Sequence, residues 1–413
     1  MKQPNLYDVV IVGGGAAGIG IAASLLKRSP QLSIAIIEPS NKHYYQPAWT
    51  LVGAGEFDVN ETERSMESCI PKGVTWIHDA ATTFEPKNNL VKTKQGHDFI
   101  YQQLIVAAGL KIMWDTIPGL NETLGKNGVT SNYRFDLAPY TWQLVKNLKS
   151  GKALFTQPPM PIKCAGAPQK AMYLSCSHWE KSGVLNNIDV EFNNAGSVLF
   201  GVATYVPPLM KYIERYHAKL NLNSTLVEVD GPNKKAWFNV KDRYGNTSRV
   251  EKSFDMLHVV PPQSAPDFIQ QSPLANAEGW VEVNQATLQH ARYANIFSLG
   301  DVCSSPNAKT AAAARKQIVV VADNLMSFRN GTAFTSEYDG YGSCPLTVEI
   351  GKVILAEFGF GGKLLPTFPL DSTVPRKINW ILKKNILPWL YWNAMLKGRE
   401  WLAAPSQTPP TKR

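Results

Sequence analysis

The sequence predicts an α/β chain built from two Rossmann-like dinucleotide-binding domains, the second inserted in the first, with a C-terminal amphipathic segment. Three observations carry this. The chain opens on an apolar strand, a glycine-rich turn and a helix start, Val9–Gly18 reading VVIVGGGAAG. A second strand–turn–helix signal begins at Gly151, reading GKALFTQPPMPIKCAGAPQKAMYL. Later, Ala294–Leu299 (ANIFSL) returns to a short apolar strand before a basic, Trp-rich tail. At 413 residues there is room for two domains and a smaller segment.

The elements follow in order. Tyr7–Val12 reads as a strand, Ala16–Lys27 as a helix and Ser33–Ile37 as a second strand ending at Glu38, which makes a βαβ start. Phe99–Ala108 (FIYQQLIVAA) reads as a strand closed by Gly109. From Gly151 to Pro262, strands are expected at Asp189–Phe192, Ser197–Phe200 and Met256–Val260. Gly279–Val283 is a further expected strand, and Ala294–Leu299 runs into Gly300-Asp301. The first domain is therefore 1–115 with 263–335. The second is 116–262 and carries Cys164, and 336–413 is a C-terminal segment carrying Cys344. The Pro/Ser/Thr-rich last nine residues read as a frayed end.

Hydrophobic residues at 44% and charged residues at 18% fit a folded globular chain. The net charge is +9, and Val374–Arg413 holds +7 of it, with eight Lys/Arg against one Glu. The body is near neutral, which excludes a nucleic-acid partner. A basic tail rich in aromatics points to a membrane surface. The apolar run Val9–Leu26 holds five glycines that the turn explains, so it reads as neither signal nor anchor. No other apolar stretch reaches the roughly 20 residues that span a bilayer.

Within the tail, Pro375–Lys397 places Trp, Leu and Ile at helical spacing on one side and Lys pairs on the other. Pro388 is expected to break it into two short helices. Basic, Trp-rich amphipathic helices lie in the bilayer interface, without crossing it. The same pattern would also serve a docking face or a homodimer interface.

The turn Gly13-Gly14-Gly15-Ala16-Ala17-Gly18 is G-x-G-x-x-G between a strand and a helix. Gly13 makes the tight turn, Gly15 lets backbone approach a pyrophosphate, and Gly18 packs helix on strand. The helix start then faces the phosphates, and Glu38 accepts from ribose hydroxyls. Two short motifs favour FAD over NAD. Val106-Ala107-Ala108-Gly109 resembles the strand-end A-x-G of two-dinucleotide-domain flavoproteins. Ile296–Asp301 resembles their late G-D motif, whose Asp faces the flavin ribityl chain.

The second turn carries Pro158, Pro159, Pro161 and Cys164 where a nicotinamide site would need glycines. Cys164 has Lys163 beside it, Lys170 one to two turns on, and a helix start next to it, all of which favour a thiolate. That suits a sulfur nucleophile. Cys344 lies in a Gly/Pro-bounded turn, and spacing alone does not bring it to Cys164. Cys69, Cys176 and Cys303 read as buried structural thiols, Cys303 near the cofactor. Five cysteines without a C-x-x-C form neither a disulfide framework nor a zinc site and fit a reducing compartment. The seven histidines show no metal spacing.

Together these residues resemble the sulfide:quinone oxidoreductases, in the branch that includes the mitochondrial enzyme. The resemblance rests on VGGGAAG, EPSNKHYYQPAWTLVGAG, MPIKCAGAPQKAMYL, DMLHVVPP, LQHARYANIFSLGD, KTAAAA, YDGYGSCPL and LPWLYWNAMLKG, which span nearly the whole chain. It implies that Cys164 and Cys344 are a redox pair, bridged directly or by an extra sulfur. Sulfide opens the bridge and leaves a persulfide on one cysteine, and two electrons pass to FAD. From there they go to a membrane quinone, ubiquinone or menaquinone. The sulfane sulfur goes to an acceptor such as glutathione, sulfite, cyanide or sulfide. The resemblance also places Ala16, Ala17, Gln46, Ala81 and Lys309 at the flavin nucleotide. Quinone contacts are expected among residues such as Pro388, Tyr391 and Trp392. With a strand starting within ten residues of Met1, the chain is expected to be a bacterial cytoplasmic-membrane member or a processed mitochondrial inner-membrane form. The competing readings are an NADH:quinone-type flavoprotein and a membrane-associated flavoprotein module without catalysis.

Overall fold

Val9–Val12 is buried on both faces, as the centre of a parallel sheet requires. It belongs to the strand Asn5–Val12, flanked by Ile34–Ile37 and Asp98–Val106, with Val74–Ile77 beyond Ile34–Ile37. Ile296–Ser298 runs parallel to the second half of Asp98–Val106. The ribbon Leu90–Thr93 and Ala81–Glu85 pairs antiparallel with its first half. The register sets Val12 beside Ile37 and Val106, and Val106 beside Ser298. Four strands thus end on one edge, and the glycine turn, Glu38, Gly109 and Asp301 all follow those ends. That edge is where open α/β sheets bind ligands. The structure is a computed structural model that describes residues 5–306, 308–404 and 406–407.

A second, wholly parallel sheet has the order Val129–Thr130, Met256–His258, Gly151–Gln157, Ile188–Asn194, Lys219–Asn221. All five of its strands lie, in sequence, between Asp98–Val106 and Ile296–Ser298 of the first sheet. The chain therefore has two Rossmann-like units, one interrupting the other. A three-stranded antiparallel meander, Ser224–Ser253, packs beside the second sheet.

Two expected strands are absent. Ser197–Phe200 is a turn: Asn194 bends the chain by accepting from Gly196 N at 2.8 Å and donating to Val198 O at 2.9 Å. Its apolar content reflects Leu199 and Phe200 buried in the second core. Gly279–Val283 makes only isolated bridges, from Val281 to Ala275 and Cys303 and from Val283 to His290. It follows a tight turn in which Asn276 Oδ1 accepts from Glu278 N and Trp280 N, both at 3.0 Å.

The C-terminal segment begins with the hairpin Gly342–Glu349/Lys352–Phe358, which packs on the helix Ala167–Lys181. The tail helix then runs Lys377–Ile381, through a π-helical turn Leu382–Ile386, into Leu387–Asn393. Pro388 does not divide it. It sits in the first turn of the last piece, and the widened turn just before it absorbs the missing N–H.

The expected Lys face is also corrected. Lys383 is 4% exposed and donates to Pro47 O at 3.1 Å, while Lys384 pairs with Glu56 at 2.8 Å. The outward face is Ile378, Ile381, Ile386 and Trp389. Tyr391 Oη meets His43 Nε2 at 2.6 Å, and Arg28 joins Glu400 at 2.5 Å and Asp323 at 2.6 Å. The segment is thus clamped along its length to the first unit. Among the described residues no helix is long and apolar enough to cross a membrane. Apart from the backbone of 406–407, the last nine residues expected to fray lie outside the described residues.

Candidate active site

Nothing caps the N-terminus of Ala16–Arg28 with a side chain; Gly15 precedes it, and a Cβ there would meet nothing within 4 Å. The free N–H groups of the first turn therefore face open cavity, which suits a phosphate. Gly13 has φ +107° and lies against Ala107, and a Cβ on Gly18 would come 1.8 Å from Gly13 O. Glu38 Oε2 accepts from Gly14 N at 2.7 Å and Oε1 from Ser40 N at 2.8 Å, which fixes the carboxylate beside the turn. Gly14, Gly15, Ala16, Ala17, Glu38, Gln46, Gly109, Asp301 and Lys309 all line one cavity. Lys309 is buried and donates to Asp301 O at 2.6 Å and Cys303 O at 3.1 Å. Burial pulls its pKa down and pushes that of Asp301 up. Ala81 is not brought to the cavity. It starts a strand and packs in the core with Val12, Ile37 and Phe84.

Cys164 lines the same cavity. Its φ is +52°, a left-handed conformation that costs a non-glycine residue about 1 kcal/mol or more. Cys164 N donates to Lys309 O at 2.9 Å, and Ala167 N donates to Cys164 O at 2.7 Å, so the strain is held from both sides. Tyr133 Oη donates to Lys163 O at 2.8 Å and steadies the same turn. The hairpin brings Cys344 to it, Sγ to Sγ 3.6 Å, with Cys344 only 2% exposed. Lys170, itself buried, donates to Cys164 Sγ at 3.2 Å and to Cys344 Sγ at 3.8 Å.

These contacts set the proton. A hydrogen bond from the Cys344 thiol and then the Lys170 ammonium hold Cys164 well below the usual thiol range. Donating to Cys164, together with burial, keeps the Cys344 proton in place. Burial lowers the Lys170 pKa, but the two sulfurs more than offset it and leave it raised. Lys383 adds a second cation from the tail helix. Burial, then Lys170, brings its pKa down to about 7. By contrast Cys69, Cys176 and Cys303 are buried with raised pKa values, in each case from burial first.

The pair needs a glycine beside it. A Cβ on Gly166 would stand 2.4 Å from Cys344 Sγ and 2.5 Å from Leu346 Cδ2. The Gly166 backbone is αR, so alanine carries no backbone strain there. Gly166→Ala is therefore expected to displace the pair and slow its thiol chemistry about 10- to 100-fold, as an ångström of misplacement does. Cofactor content and thermal stability, measured on the same preparation, should change little.

The chain resembles known proteins over nearly its whole length. Residues 7–153 match the family model described as pyridine nucleotide-disulphide oxidoreductase. The chain is 42% identical to "Sulfide:quinone oxidoreductase, mitochondrial" of Dictyostelium discoideum, across 100% of this chain and 90% of that one. The chain belongs to the sulfide:quinone oxidoreductase family. The mouse member is 40% identical over 95% of this chain and 87% of its own. The fold matches the crystal structure of the sulfide:quinone oxidoreductase of Aquifex aeolicus with a TM-score of 0.78 at 20% identity, covering 97% of this chain and 93% of that one. As a family member the chain is a flavoprotein oxidoreductase with FAD as cofactor. The uncapped helix start, the open space over Gly15 and the carboxylate at the next strand end fit that dinucleotide.

Two features of the site leave little trace in the sequence. Lys383 reads as a solvent-side lysine because lysines are almost never fully buried. Gly166 looks like an ordinary helix-start glycine. Glu357 does leave a signal, as the lone carboxylate in the apolar run KVILAEF, on the cavity wall.

Proposed function

We propose that the chain oxidises hydrosulfide at Cys164 and Cys344 and delivers the two electrons through its flavin to a membrane quinone. The carrying observation is the pair itself: two cysteines 180 residues apart stand 3.6 Å from each other, and Cys164 is on the wall of the cavity that the glycine turn also lines. In this reading 1–115 with 263–335 bind the cofactor through Gly13–Gly18, Glu38, Gln46, Gly109, Asp301 and Lys309. Residues 116–262 present Cys164, and 336–413 present Cys344 and seat on the membrane.

FAD, when bound, supplies the two-electron acceptor between thiol chemistry and quinone. In the oxidised pair the sulfurs are bridged, directly or through one further sulfur. In the direct disulfide, hydrosulfide attacks the Cys344 sulfur. A new S–S bond forms on Cys344 and the bond to Cys164 breaks, leaving a Cys344 persulfide and a Cys164 thiolate. Cys164 is the better leaving group because Lys170 stands closer to it, and lower-pKa thiols leave faster. Electrons depart from Cys164, which lines the cavity. The sulfane sulfur departs from Cys344 to an acceptor such as glutathione or sulfite. With a thiol acceptor, one hydrosulfide, one thiol, one quinone and one proton become a persulfide and a quinol.

The test is steady-state reduction of a short-chain ubiquinone. Sulfide as donor supports the assignment. Activity with NADH and none with sulfide replaces it with an NADH:quinone-type enzyme.

The membrane seat is the strip Ile378, Ile381, Ile386 and Trp389, between 45 and 62% exposed, with Lys377 and Lys397 at its ends. A contiguous exposed apolar strip with flanking cations suits a bilayer interface. Ile381→Glu with Trp389→Glu is expected to weaken co-sedimentation with phospholipid vesicles by at least about tenfold, given roughly 1.5–3 kcal/mol per buried large apolar side chain. Turnover with a water-soluble quinone should persist. Unchanged vesicle binding with a halved solution mass would assign the strip to a second copy.

A further inference from the structure

Gly14 is held at both of its backbone polar groups. Its N–H donates to Glu38 Oε2 at 2.7 Å, and its carbonyl oxygen lies 3.1 Å from His43 Nδ1. A carbonyl only accepts, so Nδ1 carries the proton and Nε2 is left bare. Nε2 meets Tyr391 Oη at 2.6 Å, so that hydroxyl donates. The result is a directed chain from the Tyr391 O–H through His43 to Gly14 O, in which each bond polarises the next. Both side chains are buried, His43 at 3% and Tyr391 at 5% exposed. Burial, with the Arg64 cation nearby, lowers the His43 pKa to about 4, and burial pushes that of Tyr391 up. At pH 7 the imidazole is therefore neutral and the phenol protonated, the forms that the chain requires.

Tyr391 comes from the tail, and the tail is braced against the helix whose start faces the cavity. A Cβ on Gly398 would stand 2.7 Å from the Ala23 backbone, so tail and helix meet backbone to backbone. Glu400 pairs with Arg28 at the far end of the same helix. Met395 and Leu396 pack in one core with Ile19, Ile21 and Ala22. The leading turn of that helix is thus the part that Tyr391 and His43 secure. The Gly14–Gly15 peptide is trans, which sets its N–H opposite its C=O. Fixing Gly14 O on His43 aims the Gly15 N–H the other way. A helix start without a side-chain cap binds an anion through such donors, and only when they converge.

We propose that His43 and Tyr391 are positioning residues for the cofactor: through Gly14 O they aim the Gly15 N–H at the FAD diphosphate, so that the tail holds the cofactor turn in place. This rests on reading Gly13–Gly18 as the diphosphate cradle. Neither side chain needs to touch the flavin. Tyr391 acts only through the imidazole, and the imidazole acts only through one peptide plane.

The test is the FAD affinity of the full-chain apoprotein, read from the change in flavin fluorescence. Tyr391→Phe keeps the ring and is expected to raise the Kd about tenfold, the scale of one buried hydrogen bond. His43→Leu also removes the donor to Gly14 and should raise it about 100-fold. His43→Asn returns an amide N–H to the Nδ1 position and should recover the Tyr391→Phe value. It also serves if His43→Leu folds poorly. The double variant His43→Leu with Tyr391→Phe should bind no more weakly than His43→Leu alone, because the two act as one chain. A merely structural role would lower thermal stability without this rescue or this non-additivity. Gly15→Val is the control for the cradle, since its side chain has room against protein and none against a diphosphate. Wild-type FAD affinity in Gly15→Val would overturn the cradle and the proposal with it. Loss in Gly15→Val beside wild-type affinity in Tyr391→Phe, additive losses in the double variant, or His43→Asn as weak as His43→Leu would overturn the positioning role alone.

Discussion

Cys164→Ser and Cys344→Ser should each slow sulfide-driven bleaching of the bound flavin by more than about a thousandfold, and the double variant should be no slower than either single one. Groups that act as a unit lose their contributions together. Cys344 Sγ is the hydrogen-bond partner of Cys164 Sγ at 3.6 Å, and no other thiol is at hand. Among the remaining cysteines, Cys176 and Cys303 are buried and Cys69 sits in the first core. Flavin content should be unchanged, because the glycine turn and Glu38 proposed to cradle the cofactor belong to other segments. Stopped-flow absorbance, with dithionite reduction as the control, checks both parts. A serine variant that keeps more than about a tenth of the wild-type rate would break the assignment of the pair.

Lys170→Met should carry the next largest effect, and the effect should depend on pH. Cys164 is held below its ordinary range first by the Cys344 hydrogen bond and then by Lys170. Removing the ammonium lets the thiol pKa rise toward its ordinary value of about 8.5. The thiolate is then lost on the acid side first. The variant should fall about 10- to 100-fold at pH 7, because below the pKa the thiolate fraction drops roughly tenfold for every pH unit. It should recover above about pH 9, where an ordinary thiol ionises on its own. Methionine matches the volume, and Cys164 takes up a proton once the ammonium is gone, so no unpaired charge is left between the two. A rate–pH profile of flavin reduction reads this directly. A loss that is uniform from about pH 6 to about 9.5 would mean that Lys170 supports the structure and does not set the thiolate.

The features legible in the sequence are local ones. The turn at Gly13–Gly18 and the acid at Glu38 can be named because their chemistry is fixed within one βαβ unit. Cys164 can be named because its helix start and lysines are neighbours in sequence. The meeting with Cys344 comes only from the family resemblance, since hairpin docking across 180 residues leaves no spacing to read. Ser197–Phe200 reads as a strand because a buried loop and a buried strand have the same composition. The tail departs from its regular helical pattern for one physical reason. Lys383 lies four residues after the buried Asn379, so regular spacing already faces it inward; the π turn then adds a residue, so the next inward side chain is Pro388, five on, and Ile386 and Trp389 face outward. Ala81 belongs to the apolar core between the first sheet and its ribbon, and local sequence does not distinguish that place from the cavity wall.

The most direct measurement is an anaerobic titration of the purified protein with sulfide, following flavin absorbance, with a short-chain ubiquinone added at the end. Bleaching by one equivalent of sulfide, reversal by the quinone and no response in Cys164→Ser are expected. A flavin that ignores sulfide and is bleached by NADH would contradict this.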